Sequence, residues 1–118
     1  MSVGTVTSAG DYVGQRYREQ RVLRWDTLAR RSVDAAGGEG RHYHSRLARV
    51  YRHLIAPGST VLELGCGRGD LLAKLRPRVG VGVDFSPEMV ARAQEAHPHL
   101  HFCCADAHEL ELGQTFDF

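Results

Sequence analysis

The chain has 118 residues, of which 42% are apolar, and this is enough for one domain with a hydrophobic core. Its 15 basic and 14 acidic residues nearly cancel, so the net charge gives no argument for binding nucleic acid or an anionic membrane. No apolar run approaches the roughly 18 residues of a membrane-spanning helix, and the opening MSVGTVTSAGDY lacks the features of a secretory signal. We therefore predict a cytoplasmic protein whose three cysteines stay reduced.

The N-terminal third is predicted to be helical. An arginine-rich helix is expected from residue 11 to about residue 36, and the glycines of GGEG, residues 37–40, interrupt it. A second helix follows, and its apolar residues are spaced as one face directed towards a core. These residues are Leu47, Val50, Tyr51, Leu54 and Ile55. We predict a tail and helical cap over residues 1–40 and a second region over residues 41–118.

From residue 60 onwards, predicted strands and helices alternate. Short runs rich in Val and Leu predict strands at residues 60–64, 79–84 and 100–106, and TFDF at residues 115–118 looks like the start of a fourth. Ser86 suits the N-cap of the helix after the second strand, with Pro87 at its first position. This alternation is typical of an α/β fold with a parallel sheet, here preceded by two helices.

Three glycines follow the first predicted strand directly, in the stretch VLELGCGRGDLL at residues 61–72. Ligands of open α/β sheets bind at the carboxyl ends of the strands. Glu63, Asp84 and Asp106 each lie at or near such an end. Three neighbouring carboxylates need a cationic or donor-rich ligand between them. An ammonium group, ribose hydroxyls and an adenine amino group would satisfy them in turn.

A dinucleotide site is the first alternative. Its fingerprint is G-x-G-x-x-G with an acid about 20 residues further on, whereas this turn reads G-x-G-x-G and its third glycine comes one residue early. Asp84 would serve as the ribose acid for either ligand. Glu63 and Asp70 flank the turn, however, and both are unfavourable beside a pyrophosphate, so the dinucleotide is the less favoured reading.

Three segments together resemble the motifs of the class I S-adenosylmethionine-dependent methyltransferases. They are VLELGCGRGDLL at residues 61–72, VGVDFSPEMV at 81–90 and FCCADAHEL at 102–110, in the family's order and at fitting spacing. The resemblance covers about residues 43–118. It implies part of a Rossmann-like three-layer fold, S-adenosylmethionine as cofactor, and methyl transfer to an unidentified acceptor, with a small molecule favoured.

The resemblance also implies roles for individual residues. Glu63 and the glycine turn would hold the methionine part of the cofactor, the turn residues being Gly65, Cys66, Gly67 and Gly69. Asp84 would bind the ribose hydroxyls, with Phe85 near the adenine. Asp106 would accept a hydrogen bond from the adenine amino group, and the Ala107 amide would face a ring nitrogen. Gly80 and Gly82, in contrast, are expected to serve helix packing rather than ligand contact.

The sequence departs from the family in its number of strands. Members usually build seven strands, and this chain supplies three and the first residues of a fourth. We therefore expect the front part of a longer protein, or a short form that dimerises to cover an open sheet edge. Leu62, Leu64, Val81, Val83 and Phe102 would lie near that edge. The alternative function is a non-catalytic module that binds the cofactor or a partner.

No catalytic residue is assigned. His42, Tyr43 and His44 open the second helix and could act as a lid on the cofactor pocket, although an exposed helix start is the simpler reading. The alternating His97, His99, His101 and Cys103 suggest a metal site, but Pro98 predicts a turn there, so no metal is expected.

Overall fold

The computed structural model of the protein describes residues 9–31 and 39–118, with side chains at 14–31 and 43–118. In chain order the elements are α1 (Ala9–Arg31), α2 (Glu39–Leu54), β1 (Thr60–Leu64), α3 (Asp70–Lys74), β2 (Val79–Asp84), α4 (Pro87–Ala96) and β3 (His101–Cys104). In the described ranges, no helix has both the length and the apolar character needed to cross a bilayer.

The three strands form a parallel sheet in the order β1-β2-β3. The predicted α/β class, with two helices before the sheet, is confirmed. Because β2 is the central strand, Val81 and Val83 are buried, at 7% and 1% exposure. The expectation that these two valines lie near an uncovered edge was wrong, since strands on both sides cover β2.

Asp117 and Phe118, the last two residues, form hydrogen bonds with the edge of β1 that faces away from β2. The Phe118 amide donates to the Thr60 carbonyl at 3.1 Å, and the Leu62 amide donates to the Phe118 carbonyl at 2.9 Å. The Asp117 carboxylate accepts from the Thr60 amide at 2.8 Å, and this bond lowers the pKa of that carboxyl. Residues 115–118, which were predicted to begin a fourth strand, are not assigned as a strand. Their last two residues nevertheless form backbone hydrogen bonds to β1.

The small core lies between the sheet and α3. Its centre is Val61, Leu72 and Leu100. A Cβ on Gly80 would come within 2.8 Å of the Leu100 side chain, and one on Gly82 would come within 2.8 Å of Cys66 Sγ and of the Phe102 ring. Both glycines therefore allow close packing, but their nearest neighbours lie in loops, the glycine turn and β3 rather than in helices, as had been predicted.

The predicted apolar face of α2 is only partly covered. Ala48 is buried at 2% exposure, whereas Val50 and Leu54 are 56% and 63% exposed. Because α2 packs on the five-residue helix α3, only one narrow side of α2 is covered. Arg52 strengthens this contact by donating two hydrogen bonds to the Lys74 carbonyl, at 2.6 and 2.8 Å.

Helix α1 is fastened to the N-terminus of α4. Ser86 is the N-cap of α4, as predicted, and its hydroxyl accepts from the Met89 amide at 3.2 Å. The Asp26 carboxylate of α1 accepts from the same hydroxyl and from the Glu88 amide. A negative side chain at the start of a helix is electrostatically favourable, so Asp26 holds α1 against the α/β unit.

Candidate functional site

The glycine turn after β1 is held by hydrogen bonds to β2. The amides of Gly65 and Cys66 both donate to the Val83 carbonyl, at 2.7 and 3.0 Å. The Gly67 amide donates to Asp84 Oδ2 at 2.9 Å. Gly65 and Gly67 have φ angles of 71° and 54°, a conformation that favours glycine over other residues. The sequence pattern therefore builds a tight turn that Asp84 secures to the sheet.

The first two glycines of the turn face open space. A Cβ placed on Gly65 or Gly67 would meet no atom within 4 Å, whereas one on Gly69 would lie 2.5 Å from Phe102 Cζ. Gly69 also has a φ of 76° and is the N-cap of α3. Gly69 thus serves the packing and the start of α3, and the open backbone belongs to Gly65 and Gly67.

Glu63 carries a buried carboxyl beside this turn. Its Oε2 atom is buried without a hydrogen-bond partner in the described part of the chain. Desolvation by burial raises the pKa of Glu63 from 4.5 to about 7, and the charges of Asp70 and Asp84 add to the rise, while a backbone hydrogen bond from Leu72 opposes it. A cationic group placed here would stabilise the ionised form of Glu63.

Cys66 turns its thiol into the protein. The residue is 7% exposed, and burial raises the pKa of the thiol to about 12, with the charge of Asp84 as the next cause. The thiol therefore stays protonated at neutral pH and cannot act as a nucleophile. Within the turn, Cys66 contributes its backbone rather than its side chain.

A cleft of about 550 Å³ opens at the carboxyl ends of β2 and β3. Five of the nine predicted site residues line it: Gly65, Asp84, Phe85, Asp106 and Ala107. The other four are not among its lining residues, and they are Glu63, at the end of β1, and Cys66, Gly67 and Gly69 of the turn. Asp84 is 8% exposed, and its Oδ1 atom accepts from the Ser86 amide at 3.0 Å.

Helix α1 forms the roof of the cleft and lies within residues 1–40, for which a tail and helical cap were predicted; which of its residues face the cleft was not predicted. Its lining residues are Gly14, Tyr17, Arg18, Arg21 and Val22. Of the residues 42–44 suggested as a lid, Tyr43 and His44 are not among the residues that line the cleft. Tyr43 is 61% exposed on α2, and the His42 side chain lies outside the described residues. The sequence signal that could have suggested this roof is the arginine-rich composition of α1.

A histidine links the glycine turn to the end of α4. His97, the C-cap of α4, places Nε2 2.9 Å from Asp70 Oδ1, directly after the turn. The residues that the structure describes contain no group of three or more His, Cys, Asp or Glu side chains placed to hold a metal ion.

Comparison with known proteins places this site in a family. A family model described as a methyltransferase domain matches residues 61–118, which hold the glycine turn, Asp84 and Asp106. Residues 61–118 belong to the class I S-adenosylmethionine-dependent methyltransferases. The resemblance carried by the three sequence motifs is thus confirmed.

Two curated methyltransferases show similar sequence identity to this chain. The 2-phytyl-1,4-naphtoquinone methyltransferase of Trichormus variabilis is 42% identical over 65 residues, covering 48% of this chain and 28% of that protein. The phosphatidylethanolamine N-methyltransferase of Cereibacter sphaeroides is 40% identical over 86 residues, covering 66% of this chain and 42% of that protein. The chain therefore spans less than half the length of these two relatives.

Solved methyltransferase structures share the fold. The complex between the Haloferax volcanii Trm112 methyltransferase activator and a methyltransferase contains a chain 33% identical to this one, with a TM-score of 0.59 and coverage of 73% and 40%. CalS10 of Micromonospora echinaspora, an amino pentose methyltransferase bound to S-adenosylmethionine, is 24% identical with a TM-score of 0.58, covering 76% of this chain and 39% of its own. At 24% identity, the similarity to CalS10 shows a shared fold only.

Proposed function

We propose that this chain binds S-adenosylmethionine at the glycine turn and the adjoining cleft, and that the protein transfers a methyl group to a small organic acceptor. The observation that carries the proposal is the buried Glu63 carboxyl, with an unpartnered oxygen, beside the open backbone of Gly65 and Gly67. S-Adenosylmethionine supplies an activated methyl group on a sulfonium, and it bears an ammonium group and no phosphate.

The charges around the turn favour this ligand over a dinucleotide. The charges of Asp70 and Asp84 both raise the pKa of Glu63, so the surroundings of this carboxyl are acidic. A pyrophosphate would add negative charge to these surroundings, whereas an ammonium group would offset it. In the proposal, Glu63 and the turn residues, including Cys66 and Gly69, hold the methionine part.

The cleft would hold the nucleoside part of the cofactor. Its volume of about 550 Å³ lies within the usual range of small-molecule sites. Each Asp84 oxygen already accepts one backbone amide, but a carboxylate offers about four acceptor positions, so Asp84 retains capacity for the ribose hydroxyls. Phe85, Asp106 and Ala107 would contact the adenine.

The acceptor is proposed from the names of the relatives. These name a naphthoquinone, phosphatidylethanolamine and, for a third relative 31% identical over 74 residues, malonyl-[acyl-carrier protein]. Such names support an organic metabolite as acceptor. Because the donor is already activated, the enzyme contributes mainly alignment and proximity, and no residue of this chain is assigned as a base.

The division of the chain at residue 40 remains part of the proposal. In that division, residues 1–40 form a cap and residues 41–118 form the front half of the cofactor-binding domain. The roof that α1 makes over the cleft supports the cap.

The test is calorimetric titration of the full-length protein with S-adenosylhomocysteine and, separately, with NAD⁺. We expect binding of the first ligand and none of the second. Replacing Glu63 with Gln should weaken that binding about tenfold or more, the usual size of a charge-assisted hydrogen bond. Glu95→Gln, an exposed acid on α4, is the matched control and should bind normally. Binding of NAD⁺ alone would contradict the proposal.

Turnover separates the enzyme from a non-catalytic module. The full-length protein is incubated with S-adenosylmethionine and a small-metabolite extract, and the S-adenosylhomocysteine formed is measured. Formation that depends on the extract supports a methyltransferase. Tight cofactor binding with no turnover would favour a module that binds the cofactor without transferring its methyl group.

A further inference from the structure

The two side chains proposed to contact the adenine are already engaged by α1. Arg18 Nε lies 3.4 Å from Asp106 Oδ2, and Arg18 Nη1 lies 3.0 Å from Glu109 Oε1. The Arg21 guanidinium lies over the Phe85 ring, 5.4 Å from its centroid. The roof of the cleft therefore contacts the groups that the ligand would use.

A ligand that stacks on the face of Phe85 covered by α1 would compete with Arg21 for that face. An aromatic ring packed against Phe85 would place its centroid about 4.5 to 7 Å away, and the Arg21 guanidinium occupies that distance on one face. Both oxygens of Asp106 are also engaged, Oδ1 by the His108 amide at 2.9 Å and Oδ2 by Arg18, so an adenine amino group would share this carboxylate with Arg18. Adenine stacked on this face of Phe85 therefore requires the Arg21 side chain to move away from the ring.

The contacts of α1 differ in strength along the helix. Towards its C-terminal end, Asp26 bonds to the buried Ser86, and Ala29 is fully buried. Nearer its N-terminal end, the Arg18 side chain is 58% exposed, and exposed ion pairs contribute little stability. The N-terminal half can therefore separate from the cleft while Asp26 keeps the helix attached.

We propose that Arg18 acts as a latch: its ion pair with Asp106 and Glu109 holds the roof of the cleft closed and competes with the cofactor for Asp106. The proposal rests on the proposed function, because it assumes that Asp106 and Phe85 receive the adenine. Arg18 is thus a determinant of cofactor affinity that acts by competition rather than by contact with the bound cofactor.

The first test measures S-adenosylhomocysteine affinity for the wild type and three variants of the full-length protein. Arg18→Gln should bind about two- to fivefold more tightly, the range that an exposed ion pair can account for. Arg18→Lys, which keeps the charge, should bind more like the wild type. Arg16→Gln removes an exposed charge from the same helix and should have no effect. Unchanged or weaker binding by Arg18→Gln would overturn the latch.

The second test needs no ligand and so separates this proposal from the proposed function. Hydrogen exchange of the backbone amides at residues 14–22 should be faster in Arg18→Gln than in the wild type or Arg16→Gln. Raising the salt concentration should speed this exchange in the wild type, because salt screens exposed pairs. Equal exchange in all three proteins would refute the latch, whereas a wild type that binds no S-adenosylhomocysteine would refute the proposed function.

Discussion

Replacing Glu63 with glutamine should stabilise the ligand-free protein and weaken its binding of the cofactor. Burial raises the pKa of this carboxyl from 4.5 to about 7, which corresponds to about 3 kcal/mol at about 1.36 kcal/mol per pH unit. The folded state then holds the proton more tightly than the unfolded state does. The free energy of unfolding of the wild type should therefore fall as pH rises from about 4.5 to about 7, and it should level off above that.

The glutamine variant cannot ionise at this position, so it lacks this contribution. At pH 8 it should be more stable than the wild type by up to about 3 kcal/mol, and at pH 4 the two should be nearly equal. Urea unfolding of both proteins at several pH values between 4 and 8 measures the difference. Glu95→Gln, the exposed control, should follow the wild type at every pH.

Two results would refute this reasoning about Glu63. One is an equal dependence of stability on pH in the wild type and the variant, which would show that the carboxyl is not desolvated. The other is a variant less stable than the wild type at pH 8, which would show that the charged carboxylate has favourable contacts in the ligand-free protein. The expected result would identify Glu63 as a residue retained for binding at the expense of stability.

Three further predictions concern packing, attachment and reactivity. Gly82→Ala should lower the free energy of unfolding by about 1 to 3 kcal/mol in urea, because its Cβ would lie 2.8 Å from neighbouring side chains; Gly14→Ala, which meets nothing within 4 Å, should not destabilise. Asp26→Ala should lower the free energy of unfolding by about 1 to 3 kcal/mol, because the Ser86 hydroxyl and the Glu88 amide lose their acceptor. The loosened α1 should then be cleaved faster in limited proteolysis. Iodoacetamide at pH 8 should label the exposed Cys104 before the buried Cys66, as peptide mass spectrometry would show; the reverse order would contradict the burial of Cys66.

Local signals in the sequence were sufficient for the elements around the turn. The bounds of β1 and β2 agree with the predicted residues 60–64 and 79–84, because short runs of β-branched residues there end at glycine or acid. Ser86 caps α4 as predicted. This could be predicted because an N-cap hydroxyl bonds to a backbone amide only three residues further along the chain. The third strand was predicted too long, at residues 100–106 against His101–Cys104.

Part of the candidate site could be anticipated in the same way. Parallel strands bring their carboxyl ends to one edge whatever the details of packing, so Asp84 and Asp106 could be expected to line one cleft, as they do. The burial of Glu63 could not be read from the pattern, because it depends on how α3 and the turn pack over β1. Nor could the hydrogen bond from the Gly67 amide to Asp84, which joins residues 17 apart in sequence.

The sequence by itself determined the order of strands and helices, the glycine turn and the family, since each depends on residues close together in the chain. Only the tertiary structure decided which residues of α1 face the cleft, that Phe118 bonds to the edge of β1, and that most of the apolar face of α2 stays exposed. The physical reason is distance along the chain. Arg18 and Asp106 are 88 residues apart in sequence and in contact in the structure. The residues of a helix predict that it forms, but they do not predict which of several compatible surfaces it packs against.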